Sequence, residues 1–395
     1  MSTPRRRAGL AGAALGVVAA GVALERLTVH RAVRRKARLA LDAEGPYGTL
    51  RGTEGAAVAE DGTELYYETD EPEPGGEELP FTVVFSHGYC LNQDVWHFQR
   101  AALRERGDVR AVYWDQRGHG RSGRGPAGGE ISIDLLGRDL RAVLDAAVPE
   151  GPVVLVGHSM GGMTTMAFAA QYPDEAEGRV AGVALLGTSA GGLADVTYGL
   201  PSVGVKAVRR VVPGVLRALV KQTELVERGR RATADLFAGL VRRYSFGAAR
   251  DVDAGVARFA EKLIESVPVD VVAEFYPAFA AHEKTAALAA FDGVPALVLA
   301  GDRDLLTPLE HSERIAAALP AAELVVLEET GHLLMLERPE AVAESMSDLL
   351  ARILRAYGST APPVQPDRPH GRPDAGAGRA PRQAAARRRS RPADG

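Results

Sequence analysis

The chain has 395 residues, 46% of them hydrophobic and 25% charged, which is an ordinary composition for a globular protein with a large core. The formal net charge of −4 gives no electrostatic reason to expect nucleic acid as a partner. The single cysteine, Cys90, excludes an internal disulfide. We interpret Cys90 as a small core residue, and a nucleophilic thiol is the alternative.

The first 40 residues differ from the rest of the chain. Residues 5–7 are arginine, an apolar run follows at 8–24, and a second basic cluster lies at 31–38. We predict that residues 1–40 form an uncleaved membrane anchor, with the second basic cluster on the cytoplasmic side. The run is slightly shorter than the roughly 20 residues of a spanning helix. A cleaved secretory signal and an amphipathic or poorly ordered leader therefore stay open, and with them a secreted or cytoplasmic location.

Strand-like and helix-like segments alternate between the two ends of the chain. The predicted elements are a hairpin at 57–67 that turns at Asp61-Gly62, a strand at 81–85, a strand at 109–114, a helix at 131–147, a strand at 153–156, a helix at 160–171, and strands at 180–186, 296–300 and 324–327. Each apolar run is continuous rather than alternating, which is typical of strands buried on both faces. The pattern predicts an α/β fold with a mostly parallel central sheet and helices on both faces.

The alternation stops at residues 192–292, where helical periodicity is interrupted by prolines at 201, 213, 268 and 277. An insertion of this length predicts a helical cap that divides the core into 45–191 and 293–357.

Residues 358–395 are mainly Pro, Arg, Ala and Gly. We predict a disordered basic tail there, because this composition cannot bury enough apolar surface to offset chain entropy.

The segment Gly157-His158-Ser159-Met160-Gly161 joins a predicted buried strand directly to a helix of small residues. Glycines are needed there because a serine at a strained strand-to-helix corner leaves no room for neighbouring side chains. The N-terminus of the following helix offers free N–H groups and a positive partial charge to a developing oxyanion. We therefore predict that Ser159 is a nucleophile, and a plain turn is the alternative.

A serine hydroxyl needs a base to act as a nucleophile. His332 follows the last apolar run in a Gly331-His332 loop and is the predicted base. Asp302 and Asp304 both follow the strand at 296–300, so both are candidates for the acid that orients the histidine. Asp304 is the predicted acid, and Asp302 is the alternative. No cluster of His, Cys, Asp or Glu has metal-ligand spacing, so neither a metal nor another cofactor is expected.

Two backbone amides are expected to bind the oxyanion. They are the Met160 N–H, and the Tyr89 N–H after Gly88, a residue that lets the backbone approach closely. Phe275, Tyr276 and Phe279 are predicted to line an acyl pocket. Packing of the cap alone is an equal alternative for these three aromatic residues.

These motifs resemble those of the α/β-hydrolase superfamily, in the branch of capped esterases, lipases and cofactor-free haloperoxidases. The matching segments are 86–89, 115–122, 157–162, 301–304 and 331–332. The chain order Ser, Asp, His is the one that this resemblance implies. In such families the 115–122 loop is mostly structural, so His119 receives no catalytic role. Epoxide hydrolases and haloalkane dehalogenases carry aspartate where this chain has Ser159, which argues against both.

The resemblance implies a serine hydrolase that cleaves carboxylic esters through an acyl-enzyme, and we expect hydrophobic or acyl-lipid substrates. Basic and apolar residues at 205–220 predict that the cap meets a membrane surface, and a solvated face is the alternative. Perhydrolysis or haloperoxidase-like chemistry, carbon–carbon bond hydrolysis and amide hydrolysis use the same triad and stay open. A non-catalytic binding protein of the same fold is the alternative from another class.

Overall fold

The computed structural model describes residues 47–75, 78–126, 128–197 and 234–360. The predicted anchor at 1–40, the basic cap segment at 205–220 and the proline breaks at 201 and 213 lie outside these ranges. The predicted tail lies outside them from residue 361 onward. Within the described ranges, no helix is both long and apolar enough to span a bilayer.

The described residues contain one sheet of eight strands. The strands are β1 (Thr53–Val58), β2 (Glu64–Asp70), β3 (Thr82–Ser86), β4 (Arg110–Trp114), β5 (Val153–His158), β6 (Val180–Leu186), β7 (Ala296–Gly301) and β8 (Ala322–Leu327). Their spatial order is β1-β2-β4-β3-β5-β6-β7-β8. β2 runs antiparallel to β1 and β4, and all other neighbours are parallel, which confirms the predicted sheet type.

Burial of the strands follows their place in the sheet. Every residue of β3, β5 and β7 is buried, as their continuous apolar runs predict. The prediction is wrong for β8, in which Val326 is 38% exposed. The reason is that β8 is an edge strand paired with β7 alone. The predicted hairpin is confirmed, and its turn places Gly62 at a φ of +82°.

Helices cover both faces of the sheet. They are α1 (His97–Arg106), α2 (Ile133–Ala147), α3 (Met160–Gln171), α4 (Pro173–Arg179), α5 (Ala234–Ser245), α6 (Ala254–Ser266), α7 (Val269–Ala280), α8 (Leu309–Ala318), α9 (Leu334–Glu337) and α10 (Pro339–Thr360). Successive residues of β3 point to opposite faces of the sheet and pack in two different hydrophobic clusters. Val83 and Phe85 pack in a cluster with residues of α1, α6 and α10, whereas Val84 packs in a cluster with residues of α2 and α3.

The described part of the insertion is helical and contains no strand beyond an isolated bridge between Gly191 and Glu283. Pro268 directly precedes α7, as predicted, but Pro277 lies inside α7, so the break predicted there is wrong. Burial of Val271 and Phe275 on one face of α7 offsets the backbone hydrogen bond that a proline removes. At the other end, α10 extends into the first three residues of the predicted tail, because a packed helix propagates at one hydrogen bond per residue.

Candidate active site

Ser159 lies at the corner between β5 and α3. Its φ is +51°, a left-handed conformation that is rare for a residue with a side chain. Its N–H donates to the Leu186 carbonyl at the end of β6, at 2.9 Å. A Cβ on Gly161 would lie 2.0 Å from the Ser86 carbonyl oxygen, so only glycine fits there. Such strain costs on the order of 1–3 kcal/mol and persists where the surroundings impose it.

His332 and Asp304 form a buried pair. The His332 Nδ1 lies 2.7 Å from Asp304 Oδ2, which places the ring proton on Nδ1 and leaves Nε2 free to accept a proton. The other carboxylate oxygen, Oδ1, accepts the N–H groups of Leu306 and Thr307 at 2.8 and 2.9 Å. Asp302 is exposed and accepts the Thr330 N–H instead. Of the two predicted acids, the structure pairs Asp304 with the histidine.

The serine corner follows β5, and the His–Asp pair follows β7 and β8 at the same edge of the sheet, with β6 between them. The ring centroid of His158, the residue before Ser159, is 4.8 Å from that of His332. The His158 Nε2 lies 3.0 Å from the His332 carbonyl oxygen and donates to it. A Cβ on Gly187, which follows β6, would lie 3.5 Å from Asp304 Oδ2. The fold therefore places the corner that carries Ser159 beside the His332–Asp304 pair, although these residues lie far apart along the chain.

The predicted oxyanion donors lie beside the serine. A Cβ on Gly88 would lie 3.2 Å from the Ser159 Cβ and 2.6 Å from His158 Nδ1, so the backbone at Gly88 passes against the corner. Met160 is the buried first residue of α3. Within the described ranges, no backbone acceptor is bonded to the N–H of Tyr89 or of Met160. Both amides are therefore able to donate to a substrate oxyanion.

The three predicted pocket residues lie on α7, and two of them pack on Tyr89. The Tyr89 ring centroid is 6.2 Å from that of Phe275 and 4.9 Å from that of Phe279. The Tyr89 hydroxyl donates to the Val272 carbonyl of the same helix. Tyr276 is half-buried, and it contributes, after burial and Cys90, to raising the pKa of the Tyr89 phenol. Their role in binding an acyl group stays a prediction.

Cys90 is a partly buried thiol beside Tyr89. Burial raises its pKa to about 12, so the thiolate that a cysteine nucleophile needs does not form near neutral pH. This agrees with the interpretation of Cys90 as a packing residue. No group of three or more His, Cys, Asp and Glu residues in the described part of the chain has the geometry of a metal site.

Sequence reasoning missed the residues that hold the His–Asp pair. The Thr307 hydroxyl donates to Asp304 Oδ2 at 2.8 Å. The Glu337 carboxylate accepts the N–H groups of Gly331, Gly247 and Ala248 at 2.7, 3.1 and 2.9 Å, and so joins the His332 loop to the segment between α5 and α6. The spacing of three residues between Asp304 and Thr307 is a local signal for the first contact, whereas only the fold brings Glu337 to Gly247 and Ala248, which are 90 and 89 residues away along the chain.

The sequence profile of the alpha/beta hydrolase fold family matches residues 82–339. The chain belongs to this family. This α/β hydrolase is 30% identical to a non-heme chloroperoxidase of Kitasatospora aureofaciens over 277 residues, which are 69% of this chain and 90% of the relative. It is 29% identical to a non-heme haloperoxidase of Rhodococcus erythropolis over 262 residues, 66% of this chain and 86% of the relative.

Solved structures show the same fold. A thermophilic esterase from Thermogutta terrifontis, determined with malate bound, matches this α/β hydrolase with a TM-score of 0.58 and 26% identity. The match covers 76% of this chain and 98% of the esterase. The family and fold that the sequence motifs indicate are thus confirmed.

Proposed function

We propose that this α/β hydrolase cleaves carboxylic esters through an acyl-enzyme on Ser159. The observation that carries the proposal is the buried pair of His332 and Asp304 at 2.7 Å, beside a serine held at a φ of +51°. A neutral imidazole with its proton on Nδ1 presents Nε2 as a base, and a buried carboxylate stabilises the imidazolium that forms. The buried His332–Asp304 pair beside Ser159 argues against the alternative of a non-catalytic binding protein.

The mechanism follows from these positions. His332 Nε2 takes the proton of the Ser159 hydroxyl as its oxygen attacks the ester carbonyl, and the tetrahedral oxyanion accepts the N–H groups of Met160 and Tyr89. Each such donor typically contributes about 2.7–4 kcal/mol to the transition state. His332 then protonates the leaving alcohol, and water, activated by the same histidine, releases the acid from Ser159.

Apolar residues beside the oxyanion loop, residues 87–90, favour a hydrophobic substrate. Phe275 is buried in one cluster with Met160 and Met163, the first and fourth residues of α3, and Phe279 packs against the same cluster. Apolar side chains next to the nucleophile lower the free energy of a bound hydrocarbon chain. The preference for acyl-lipid substrates, and a membrane surface as their source, belong to this proposal and rest on the predicted anchor at 1–40 and the cap segment at 205–220.

Labelling with a fluorophosphonate probe tests the nucleophile. The wild-type protein should be labelled and Ser159→Ala should not, because the probe phosphonylates an activated serine. Ser189→Ala is a matched control, since Ser189 is fully buried and its hydroxyl is bonded to Gly191 and His311. A wild type that does not react, or a Ser159→Ala variant that labels equally, would contradict the proposal.

A series of nitrophenyl esters from acetate to dodecanoate tests the substrate class. We expect kcat/KM to rise with chain length over the first several carbons, by up to about fourfold per buried CH₂ at ~0.8 kcal/mol each. Activity on acetate alone, or on peptide amides in preference to esters, would contradict a hydrophobic ester substrate. Phe279→Ala should flatten the series if Phe279 lines the acyl site.

The two haloperoxidase relatives favour perhydrolysis as a second candidate. In this reaction hydrogen peroxide replaces water, its oxygen attacks the acyl carbonyl, and the serine oxygen leaves with a proton from His332. The product is a peroxy acid, and no electron is transferred at the enzyme. Incubation with an acetate ester and hydrogen peroxide, with the peroxy acid detected by bromide oxidation, tests it. No product above that of Ser159→Ala would exclude this activity.

A further inference from the structure

The loop at 87–90 carries the proposed Tyr89 donor, and its peptide groups are held in place one by one. The His87 Nδ1–H donates to the Gly88 carbonyl oxygen at 2.7 Å. That carbonyl and the Tyr89 N–H belong to the same planar peptide group and point in opposite directions. Fixing the Gly88 carbonyl therefore fixes the direction of the Tyr89 N–H.

The next amide of this loop is held by His119, which belongs to the 115–122 loop. The Cys90 N–H donates to His119 Nε2 at 3.2 Å, and Cys90 has a left-handed φ of +59°. The His119 Nδ1 lies 2.9 Å from the Arg117 carbonyl oxygen, which requires the proton on Nδ1 and makes Nε2 the acceptor. His119 thus holds a strained residue directly after the proposed oxyanion donor.

The 115–122 loop is itself anchored at several points. The Gln116 N–H donates to His87 Nε2 at 2.9 Å, and the Thr164 hydroxyl of α3 donates to Gln116 Oε1 at 2.6 Å. Arg117 is buried and pairs with Asp139 of α2 at 2.6 Å and with Asp61 of the hairpin turn at 2.7 Å. These contacts hold the 115–122 loop in place. It contacts residues 87–90, the oxyanion loop, through the rings of His87 and His119.

We propose that His119 is a positioning residue that, together with His87, holds the oxyanion loop so that the Tyr89 N–H points at the substrate. This proposal rests on the proposed ester hydrolysis. It gives the 115–122 segment a role in that reaction. His119 does not touch the reacting atoms and acts through the Cys90 amide.

The protonation state of both rings suits this role. Burial lowers the pKa of His119 to about 4 and that of His87 to about 3. Both imidazoles are therefore neutral near pH 7, so that each keeps one nitrogen as an acceptor for a backbone N–H. A protonated His119 would have no acceptor for the Cys90 N–H.

His119→Phe tests the proposal, because phenylalanine keeps an aromatic ring beside Phe275 and removes the acceptor. We expect kcat on a nitrophenyl ester to fall at least about tenfold, with a limit near the 10²–10³-fold loss of a whole oxyanion donor. KM should change by less than about twofold, and binding of an alkyl boronic acid, which forms a tetrahedral adduct, should weaken by the same factor as kcat. His119→Gln should recover part of the loss because its Oε1 is able to accept the Cys90 N–H.

His97→Phe is the matched control. His97 accepts the Gly48 N–H at the same 3.2 Å but lies on α1, outside the proposed site. We expect it to lower stability without changing kcat. Equal kinetic losses in the two Phe variants, or a loss at His119 that appears only in KM, would overturn the proposal. Thermal melts monitored by circular dichroism identify variants that have not folded. If His119→Phe has not folded, kcat of His119→Gln is compared with that of the wild type instead.

The wild type alone provides a second test. Spectra of the protein labelled with ¹⁵N-histidine should show His119 as the neutral tautomer with its proton on Nδ1 at pH 7. A proton on Nε2 would overturn the positioning role whatever the activity. A wild type that neither reacts with fluorophosphonate nor hydrolyses esters would instead contradict the proposed function, so the two failures are distinguishable.

Discussion

Asp302 and Asp304 are separated by one residue, but only Asp304 bonds to His332. We expect Asp304→Asn to lower kcat/KM on the order of 10³–10⁴-fold, because an amide favours the wrong tautomer of the histidine and does not stabilise its charged form. Asp302→Asn is the matched control and should change kcat/KM by less than about threefold. Ester hydrolysis under subsaturating substrate measures both. Similar losses in the two variants would contradict the assignment of Asp304.

Thr307 lies three residues after Asp304, and its contact with the triad acid is seen only in the structure. Its hydroxyl donates to Asp304 Oδ2 at 2.8 Å, and a hydrogen bond to a charged group contributes about 1.5–3 kcal/mol. Thr307→Val should therefore lower kcat/KM by roughly 10-fold or more. Thr63→Val removes the same kind of bond, from the Thr63 hydroxyl to Asp61 at 2.6 Å, outside the triad. If Thr63→Val reduced activity as much, the effect would not be specific to the triad.

At the scale of elements, Glu337 at the end of α9 joins the loop of His332 to the segment between α5 and α6. A Cβ on Gly331 would lie 2.5 Å from the Gly247 nitrogen, so the two backbones touch, and one carboxylate bonds to both. Glu337→Gln leaves at least one partly buried N–H without an acceptor, which costs up to about 1–3 kcal/mol. We expect a lower Tm together with a lower kcat. Glu329→Gln, on an exposed side chain paired with Arg303, is the control and should change neither.

Prediction of the elements from sequence was most accurate where local and tertiary preferences agree. The bounds of α3 and β6 coincide with the predicted ones, because small residues after the Gly-x-Ser-x-Gly corner and a buried apolar run leave one solution each. The burial of β8 and the break at Pro277 were predicted wrongly. Edge position in a sheet and packing around a proline depend on neighbours that are remote in the chain.

At the scale of the whole molecule, buried neutral histidines make stability depend on pH. Burial lowers the pKa of six described histidines, which are His87, His97, His119, His158, His282 and His311. A lowered pKa means that the unfolded chain binds more protons, so stability is present above about pH 6.5 and is lost as the pH falls. Asp115 acts in the opposite direction, since burial raises its pKa to about 7.

The buried histidines and Asp115 contribute with opposite sign, so their magnitudes decide whether the protein loses stability at low pH. Between pH 6.5 and 5, each deeply buried histidine costs about 2 kcal/mol and Asp115 returns about 2 kcal/mol. With His87 and His119 against Asp115, we expect the free energy of unfolding to be about 2 kcal/mol lower at pH 5 than at pH 6.5, and the lowered pKa of buried His158 adds to this decrease. Urea unfolding followed by circular dichroism measures it. Asp115→Asn should make the decrease larger and His119→Gln smaller, and a midpoint independent of pH would contradict the prediction.

The sequence alone determined the family, the sheet type and the identity of the serine, histidine and acid candidates. These follow from local patterns, because an apolar run that ends in glycine and a reactive side chain describes one strand end at a time. Only the tertiary structure decided between Asp302 and Asp304 and revealed the contacts of Thr307, Glu337 and His119. The Thr307–Asp304 bond is local, but only the structure shows where the hydroxyl points. The bonds of Glu337 to Gly247 and of Cys90 to His119, at 3.1 and 3.2 Å, join residues far apart along the chain, because the strand ends of the folded sheet bring their loops together.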